Sequence, residues 1–243
     1  MDAFAVLAAT WPPAEAVRLG PWTLRRGAGG GSRVSAATLE GEEGTIEAAA
    51  EAMRAWGQVP LFMIRNGEAA LDARLAAMGY GRRDPTLILA APSDALAAPE
   101  DGGTTVRCSA PVARMEEIWE AGGIGPGRRA VMARVAGPRV WLLGRQGDRP
   151  AACAFVAVHG ETAMLHALEV VPEARRMGMG SRLTRAAARW AAARGGAVLA
   201  LAVTEANGAA RALYGGLGMR EVARYHYRVA PDAPAVPLPM RNR

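Results

Sequence analysis

The sequence predicts an α/β (α+β) protein in which strands and helices alternate along the chain. One observation is a strand, a glycine-containing turn, a helix and a second strand in succession over residues 162–203. Another is a similar succession earlier in the chain, over residues 44–91. The third is composition: 243 residues that are 51% hydrophobic and 21% charged are globular and long enough for two packed cores. We therefore expect two α/β domains.

The first half of the chain begins with a predicted helix and then alternates strands with helices. A glycine run, Gly27 to Ser32, separates two of the strands; it predicts a flexible hairpin connection, because no helix follows it directly. The predicted elements are a helix at 2–9, strands at 22–26 and 33–39, a helix at 44–56, a strand at 59–64, a helix at 68–78 and a strand at 86–91.

The second half follows a stretch rich in Ala, Pro, Asp and Gly, residues 91–103, which predicts a linker. Pro111 and Gly122-Gly123 mark the start and the end of its first helix. The predicted elements are a strand at 104–108, helices at 111–120 and 128–135, strands at 139–143, 151–158 and 162–171, a helix at 181–194, a strand at 197–203, a helix beginning after Asn207 and a strand at 219–229.

The turn between residues 170 and 180 has the composition of an anion-binding site. It reads Val-Val-Pro-Glu-Ala-Arg-Arg-Met-Gly-Met-Gly and connects a strand to a helix. Such a turn directs free backbone N–H groups and the positive end of the helix dipole at its ligand. Arg175 and Arg176 add permanent positive charge, and Gly178 and Gly180 let ligand oxygens approach the main chain. The spacing fits neither the dinucleotide-binding nor the Walker pattern.

A second motif follows the next strand. Asn207 opens a helix, Tyr214 lies two helical turns further on, and Gly218-Met219 follows it. Together, Arg-x-x-Gly-x-Gly after Val-x-Pro and this Asn, Leu-Tyr, Gly succession resemble the two motifs of the GNAT superfamily of acyl-CoA-dependent N-acyltransferases, with Met219 in place of the usual aromatic residue. The resemblance covers about residues 104–229. It implies a GNAT-like fold, with a mixed, mostly antiparallel central sheet flanked by helices.

The resemblance also implies roles for individual residues. Acetyl-CoA would be the co-substrate, and Tyr214 would be the acid that protonates its departing thiolate. The base would be His166 or Glu169; strand alternation places them on opposite faces, so one of them faces the site unless a bulge intervenes. Trp119, Ile124, Met132 and Glu116 or Glu117 would form one wall of the acceptor site. The residues expected to hold acetyl-CoA are Leu168 and Val170 on the strand, Arg175, Arg176, Met177, Gly178, Met179, Gly180, Ser181 and Arg182 in and after the loop, and Asn207.

The two halves resemble each other, which indicates a duplication. Each half has a helix that ends before a Met and Gly pair, at Met78-Gly79 and at Gly218-Met219. The first half lacks the Arg-x-x-Gly-x-Gly loop and has Leu75 where the second has Tyr214, so we expect a degenerate GNAT-like domain over residues 1–95. A linker (96–103), a catalytic GNAT domain (104–230) and an extended tail (231–243) would follow. An unrelated α+β domain is the alternative for the first half.

Composition narrows the function classes. The net charge of +6 comes from dispersed arginines without interleaved aromatic residues, which disfavours nucleic acid as a partner. Two cysteines and three histidines predict neither a disulfide nor a metal site, and no apolar run suits a membrane span. We expect a cytoplasmic monomer or homodimer that acetylates a primary amine of a small molecule or peptide. The alternative is a non-enzymatic acyl-CoA-binding sensor or regulatory protein.

Overall fold

The computed structural model describes residues 1–41, 44–97 and 104–233. Helices and strands alternate through most of these residues. In chain order they are α1 (Ala3–Thr10), β1 (Glu15–Leu19), β2 (Trp22–Arg26), β3 (Thr38–Leu39), α2 (Ile46–Ala55), β4 (Leu61–Arg65), α3 (Ala69–Ala77), β5 (Gly81–Pro92), α4 (Ser93–Leu96), β6 (Thr105–Cys108), α5 (Ala113–Ala121), α6 (Pro126–Arg134), β7 (Arg139–Gln146), β8 (Arg149–His159), β9 (Thr162–Val170), α7 (Met179–Ala192), β10 (Val198–Thr204), α8 (Gly208–Gly216) and β11 (Arg220–Val229).

The chain forms two compact units that exchange segments. The first unit comprises residues 1–12 and 86–224, and the second comprises residues 13–85 and the chain from Tyr225 onward. The first unit thus contains α1 and most of β5 from the first half of the sequence, and the second unit contains the latter part of β11. The domain boundaries drawn from chain order, 1–95 and 104–230, differ from these units and stay a prediction.

The first unit is built on a sheet with the strand order β5, β10, β9, β8, β7, β6. Its neighbouring strands pair antiparallel except β9 and β10, which run parallel. The parallel pairing ends at Leu201 opposite Leu165, although β10 continues to Thr204 and β9 continues to Val170. The two strands therefore continue without pairing towards the turn that leads into α7.

Helices cover both faces of this sheet. Ala152, Ala154 and Val156 of β8 belong to a core cluster with buried residues of α7. Alternate residues of a strand point to opposite faces, so Cys153 and Phe155 point to the other face. There the Cys153 thiol lies 3.8 Å from the Met115 carbonyl of α5, and Phe155 contacts the ring of Trp11 directly after α1.

Strand β9 contains a bulge directly before its carboxyl end. His166 pairs with Phe155 and Glu169 pairs with Cys153, so two residues of β9, Ala167 and Leu168, oppose a single residue of β8. Ala167 has a φ of +50°, a left-handed conformation that is uncommon for a residue with a side chain. The bulge shifts the alternation, and His166 and Glu169 consequently lie on the same face of the sheet.

The second unit contains two strand groups. Strands β1, β2 and β3 form an antiparallel sheet, and β4 pairs antiparallel with the Tyr225 to Val229 part of β11. A parallel bridge joins Ala37, next to β3, to Phe62 of β4. The core of this unit packs α2 and α3 residues such as Met53 and Leu75 against Trp22, Phe62 and Ala230.

Most of the predicted elements are confirmed, with differences where local signals were weak. The helix expected at 2–9 is α1, and its N-cap Asp2 accepts hydrogen bonds from the N–H groups of Phe4 and Ala5, each at 3.0 Å. The strand predicted at 33–39 is wrong: Ser32–Val34 is a 3-10 turn and the strand is Thr38–Leu39. β1, at Glu15–Leu19, was missed because its five residues are exposed and do not alternate in burial.

Part of the predicted linker and part of the predicted tail lie within the described residues. Residues 91–97, assigned to the linker stretch, instead complete β5 and form the short helix α4. Residues 98–103 of the linker and 234–243 of the tail lie outside the described residues. None of the helices in the described ranges is long and apolar enough to cross a membrane.

Candidate active site

The loop after β9 has the backbone geometry expected of an anion site. Gly178 is the N-cap residue of α7 and has a left-handed φ of +78°. As a glycine it has no side chain with which to cap the helix, so the first N–H groups of α7 point to where a ligand would lie. Residues 179–181 carry these N–H groups. Their direction and the helix dipole together favour a phosphate or pyrophosphate.

The two loop glycines serve different purposes. A Cβ atom added to Gly178 would meet no atom within 4 Å, so the residue is glycine because of its left-handed φ. A Cβ added to Gly180 would lie 2.8 Å from the Cδ2 atom of Leu213 in α8. Gly180 therefore allows α7 and α8 to pack closely, a role in addition to the ligand approach inferred from the sequence.

The loop arginines are positioned differently from each other. Arg175 donates from Nε to the Val170 carbonyl at 3.2 Å, and its Nη2 lies 3.4 Å from Glu169 Oε1. Arg176 is exposed and has a left-handed φ of +61°. Arg175 therefore ties the loop to the end of β9, whereas Arg176 presents its charge to solvent. Of the other predicted contacts, Met177 is exposed, Arg182 is exposed and Ser181 is half-buried.

Met179 can contribute only its main chain to this site. Its side chain is 2% exposed and belongs to the core cluster of the first unit. The N–H group at the first position of α7 stays in place at the helix end. Burial of the side chain fixes the position of that N–H group relative to the sheet.

The carboxyl end of β9 lies in the same apolar cluster as Tyr214. Leu168 and Val170, both half-buried, pack against the cluster that contains Tyr214. The N–H of Val171 donates to the Ala151 carbonyl of β8 at 2.9 Å. Since successive N–H groups of a strand point to opposite edges, those of Leu168 and Val170 point away from β8, towards the side of β10. The sequence predicted these two residues as contacts of the acyl group, and both pack against the apolar cluster to which Tyr214 belongs.

Tyr214 and Asn207 lie on α8. Tyr214 is 7% exposed, and burial raises the pKa of its phenol to about 12. The phenol therefore keeps its proton at neutral pH and can act as a hydrogen-bond or proton donor. Asn207 is the N-cap of α8, and its side-chain oxygen accepts a hydrogen bond from the Ala210 N–H at 3.2 Å. This cap uses only the side-chain oxygen, so the amide NH₂ of Asn207 can donate to a ligand.

Glu169 lies beside the loop on the α5 face of the sheet. Its side chain is 21% exposed. Burial raises the pKa of its carboxyl group, and the charge and hydrogen bond of Arg175 and the main-chain N–H of Val170 partly oppose that rise. A carboxylate with a raised pKa is a better proton acceptor than an ordinary glutamate. Its carboxyl group also lies within reach of the Val170 N–H, at the edge where β9 no longer pairs with β10.

His166 occupies the core instead of an open site. It is 4% exposed, and its Nε2 atom lies 2.9 Å from the Thr10 hydroxyl. Its ring centroid lies 4.9 Å from that of Trp11 and 6.2 Å from that of Phe155. The end of α1 therefore covers this histidine. The geometry favours Glu169 over His166 as the group that meets an acceptor.

The cysteines have no arrangement suited to a nucleophile. Burial, with the charge of Glu169, raises the pKa of the Cys153 thiol, and burial also raises the pKa of the Cys108 thiol. Raised pKa values keep both thiols protonated and unreactive at neutral pH. Within residues 1–41, 44–97 and 104–233, no cluster of three or more His, Cys, Asp or Glu residues could hold a metal ion.

Two residues of the site were not recognised as such in the sequence. Gly122, at the end of α5, lies directly against Glu169, and Trp119 donates a hydrogen bond to the Ala167 carbonyl at 2.8 Å. Trp119 was expected only as part of an acceptor wall, and Gly122 only as a helix stop. Neither contact has a local sequence signal, because each joins residues about 47 positions apart.

Comparison with known proteins agrees with this geometry. Residues 112–219 match the model of the acetyltransferase (GNAT) family. The match includes β9, the loop between β9 and α7, and the elements α7, β10 and α8. A search of the curated proteins found no match for this chain.

Solved structures share the fold over most of the chain. A GCN5-related N-acetyltransferase from Kribbella flavida is 21% identical with a TM-score of 0.69, and 93% of each chain is covered. A tandem GNAT protein from the clavulanic acid biosynthesis pathway is 15% identical with a TM-score of 0.63, covering 95% of this chain and 87% of that one. An acetyltransferase from the GNAT family of Novosphingobium aromaticivorans is 19% identical with a TM-score of 0.56, and 88% of this chain and 89% of that one are covered.

These likenesses are below 25% identity and establish the fold. Combined with the family match, they confirm the mixed, mostly antiparallel sheet flanked by helices that the two motifs implied. Residues 112–219 match the acetyltransferase (GNAT) family model, and the chain shares its fold with GNAT proteins, among them a tandem GNAT protein.

Proposed function

We propose that this protein transfers the acetyl group of acetyl-CoA to a primary amine, by direct attack of the amine in a ternary complex in the first unit. The observation that carries the proposal is the alignment of three features on one unit: the glycine N-cap of α7, the unpaired edge of β9 and the buried Tyr214. A family match that supports acyl transfer in general adds to it.

The phosphate-bearing end of acetyl-CoA fits the loop. The N–H groups of residues 179–181 and the exposed Arg176 would hold the pyrophosphate, and Arg182 lies on the first turn of α7 nearby. The Asn207 amide would contact the pantetheine arm. The N–H group of Leu168 would polarise the thioester carbonyl, because it points towards the unpaired edge of β9.

The reaction needs one base and one acid. The amine nitrogen attacks the thioester carbon, the carbon–sulfur bond breaks, and the electron pair leaves with the sulfur. Glu169 accepts the proton that the amine loses, since its raised pKa strengthens it as a base. Tyr214, whose phenol is protonated at neutral pH, hydrogen-bonds to the departing thiolate and donates its proton as charge develops on the sulfur. No covalent enzyme intermediate is needed, which agrees with the buried, protonated Cys153.

A non-enzymatic acyl-CoA sensor is the second candidate. It is favoured by the burial of His166 beneath Trp11 and Thr10 and by the ion pair that Arg175 forms with Glu169. Both features reduce the access of a base to an acceptor. The acceptor's class, a cytoplasmic location and a monomeric or homodimeric state are further expectations from the sequence.

Calorimetric titration with acetyl-CoA, CoA and NAD tests the proposal first. We expect acetyl-CoA and CoA to bind with dissociation constants between about 1 µM and 1 mM, the range of typical KM values, and NAD not to bind. A panel of small amines and peptides is then assayed for release of CoA thiol. Tyr214→Phe should lower turnover by roughly 10²- to 10⁴-fold and leave acetyl-CoA affinity unchanged.

Tyr80→Phe is the matched control, because Tyr80 is also 7% exposed but belongs to the second unit. Acetyl-CoA binding without thiol release on any acceptor would favour the sensor. Absence of binding to every CoA compound would contradict both candidates.

A further inference from the structure

The carboxyl end of α5 is packed against the bulge of β9. Trp119 is fully buried, and its indole N–H donates to the Ala167 carbonyl at 2.8 Å. Ala167 is the bulge residue with the left-handed φ of +50°. The hydrogen bond satisfies the carbonyl oxygen of a residue whose conformation is otherwise unfavourable. Because the bulge sets which side chains of β9 share a face, this contact bears directly on Glu169.

Gly122 ends α5 next to the Glu169 side chain. A Cβ atom built on Gly122 would lie 2.6 Å from both Cγ and Cδ of Glu169 and 2.7 Å from its Oε2. The φ of Gly122 is −84°, which any residue adopts without strain. The backbone therefore does not require glycine here. The space that the missing side chain leaves is occupied by the Glu169 carboxyl group.

The charged surroundings of Glu169 come from two further elements. Arg175, in the loop after β9, lies 3.4 Å from Glu169 Oε1. Cys153 of β8 pairs with Glu169 across the sheet, and the negative charge of Glu169 raises the pKa of its thiol. From α5 the contact is made by Gly122 at the end of the helix. Glu169 is thus held between α5, β8 and the loop that follows β9.

We propose that Trp119 and Gly122 are positioning residues that together fix the Glu169 carboxyl group at the acceptor side of the site. Trp119 stabilises the bulge that turns Glu169 onto the α5 face. Gly122 leaves the room into which its side chain extends. The inference rests on the proposed function, in which Glu169 accepts the proton of the amine.

Gly122→Ala tests the proposal with one added carbon. The methyl group displaces the Glu169 carboxyl group without backbone strain, so kcat should fall by about 10- to 100-fold, whereas the KM for acetyl-CoA should not change. The matched control is Gly125→Ala, in the same connection. Gly125 has a φ of −77°, and a Cβ there would lie 3.9 Å from its nearest atom, Glu120 Oε1. Its kinetics should equal those of the wild type.

A second readout does not depend on turnover. The Glu169 carboxyl carbon, labelled with ¹³C and assigned with Glu169→Gln, is titrated by NMR in each variant. Burial is the main cause of its raised pKa, so a carboxyl group pushed towards water should titrate at lower pH in Gly122→Ala than in the wild type or Gly125→Ala. An identical titration in all three proteins would overturn the proposal, whether or not an acceptor amine has been found.

Trp119→Phe checks the hydrogen bond separately, because it keeps an aromatic ring and removes the N–H donor. We expect kcat to fall with an unchanged KM for acetyl-CoA, and the Glu169 titration to shift. In a Glu169→Gln background, Gly122→Ala should alter turnover less than about twofold, since its effect acts through Glu169. If the Glu169 titration shifts in a protein that acetylates no acceptor, Trp119 and Gly122 position Glu169 as proposed, and only the proposed enzymatic function is contradicted.

Discussion

In both units a pair of parallel strands stops pairing part of the way along: at Ala37 and Phe62 in the second unit, and at Leu165 and Leu201 in the first. In the second unit, Arg65 lies three residues after Phe62, and Glu68 lies three residues after Arg65. In the first unit, Thr204 and Asn207 lie at the same distances from Leu201. Glu68 and Asn207 are the N-cap residues of α3 and α8. Neutral polar residues in the first unit thus correspond to a charged pair in the second.

The charged pair of the second unit closes the gap between its strands. The Arg65 Nε donates to Glu68 Oε1 at 2.7 Å, its Nη1 lies 3.4 Å from the Glu40 carboxylate, and its Nη2 donates to the Leu39 carbonyl. Burial alone would lower the pKa of Arg65, but Glu68 and Glu40 raise it overall. The guanidinium therefore bridges β3 and β4 where the first unit has an open strand edge.

The loops that follow differ in charge as well. The first unit has Arg175 and Arg176 before α7, whereas the residues before α2 read Glu-Gly-Glu-Glu-Gly-Thr over positions 40–45. An acidic loop repels a pyrophosphate. The second unit thus stabilises its strand arrangement with ion pairs. We predict that it is a degenerate GNAT-like domain without a co-substrate site, so that each chain has one acetyl-CoA site.

Reversing the charge of the loop in the first unit should have the largest effect. Gly178→Glu places a carboxylate where the pyrophosphate is expected, and acetyl-CoA affinity should fall by roughly 100-fold in calorimetry. Gly195→Glu is the control. Gly195 follows α7 at its other end, has a similar φ of +76° and also has no neighbour within 4 Å of an added Cβ. Equal loss of affinity in both variants would mean that strain, and not charge, explains the effect.

Removing the bridging arginine tests the second unit. Arg65→Met leaves the Glu40 and Glu68 carboxylates without their cation, so the free energy of unfolding should fall by about 2–3 kcal/mol. Urea unfolding measures it, with the exposed Arg18→Met as the control. Acetyl-CoA stoichiometry should stay at one per chain because the acidic loop remains. A stoichiometry of two would show that Arg65 alone excludes the ligand from this unit.

A smaller effect is expected at Asp72 of α3. The Arg228 Nε donates to Asp72 Oδ1 at 2.6 Å and His226 Nε2 lies 2.8 Å from it, and together they lower the pKa of Asp72. A lowered pKa contributes stability above the ordinary aspartate value, and this contribution is lost as pH falls below about 4. Asp72→Asn should therefore cost about 1–2 kcal/mol at pH 7, and this cost should decrease as the pH falls from about 4 through the lowered pKa of Asp72.

Urea unfolding at pH 7 and pH 3 measures this difference. Asp148→Asn is the control, since the Asp148 side chain is fully exposed and its change should lie within about 0.5 kcal/mol of the wild type. A penalty at Asp72 that stays the same at both pH values would contradict an electrostatic origin.

The sequence predicted the parts of the site that depend on local spacing. Gly178 and Asn207 each lie at a helix start, and helix starts have strong local signals. The two motifs also fixed the fold, because their order and separation match the arrangement of β9, α7, β10 and α8. The position of Tyr214, two turns after Asn207, follows from helical periodicity, whereas its role as the acid is what the GNAT resemblance implies.

The choice of base could not be made from the sequence. At the bulge, the Ala167 carbonyl accepts a hydrogen bond from Trp119, 48 residues earlier. The burial of His166 depends on Thr10 and Trp11, more than 150 residues away. Strand alternation alone places His166 and Glu169 on opposite faces, and the bulge, an alternative that the sequence left open, puts them on the same face. The exchange of strands between the two units is equally non-local.

The exchange of segments has a consequence for folding during synthesis. β5 is made early but pairs with β10, and β4 pairs with the last strand, β11. The second unit therefore lacks a strand partner until residue 229 has left the ribosome, and the first unit must retain α1 through the synthesis of some 150 residues before β9 is available. The first unit therefore cannot complete its fold until β10 has been synthesised, and the second unit cannot do so until β11 has been synthesised.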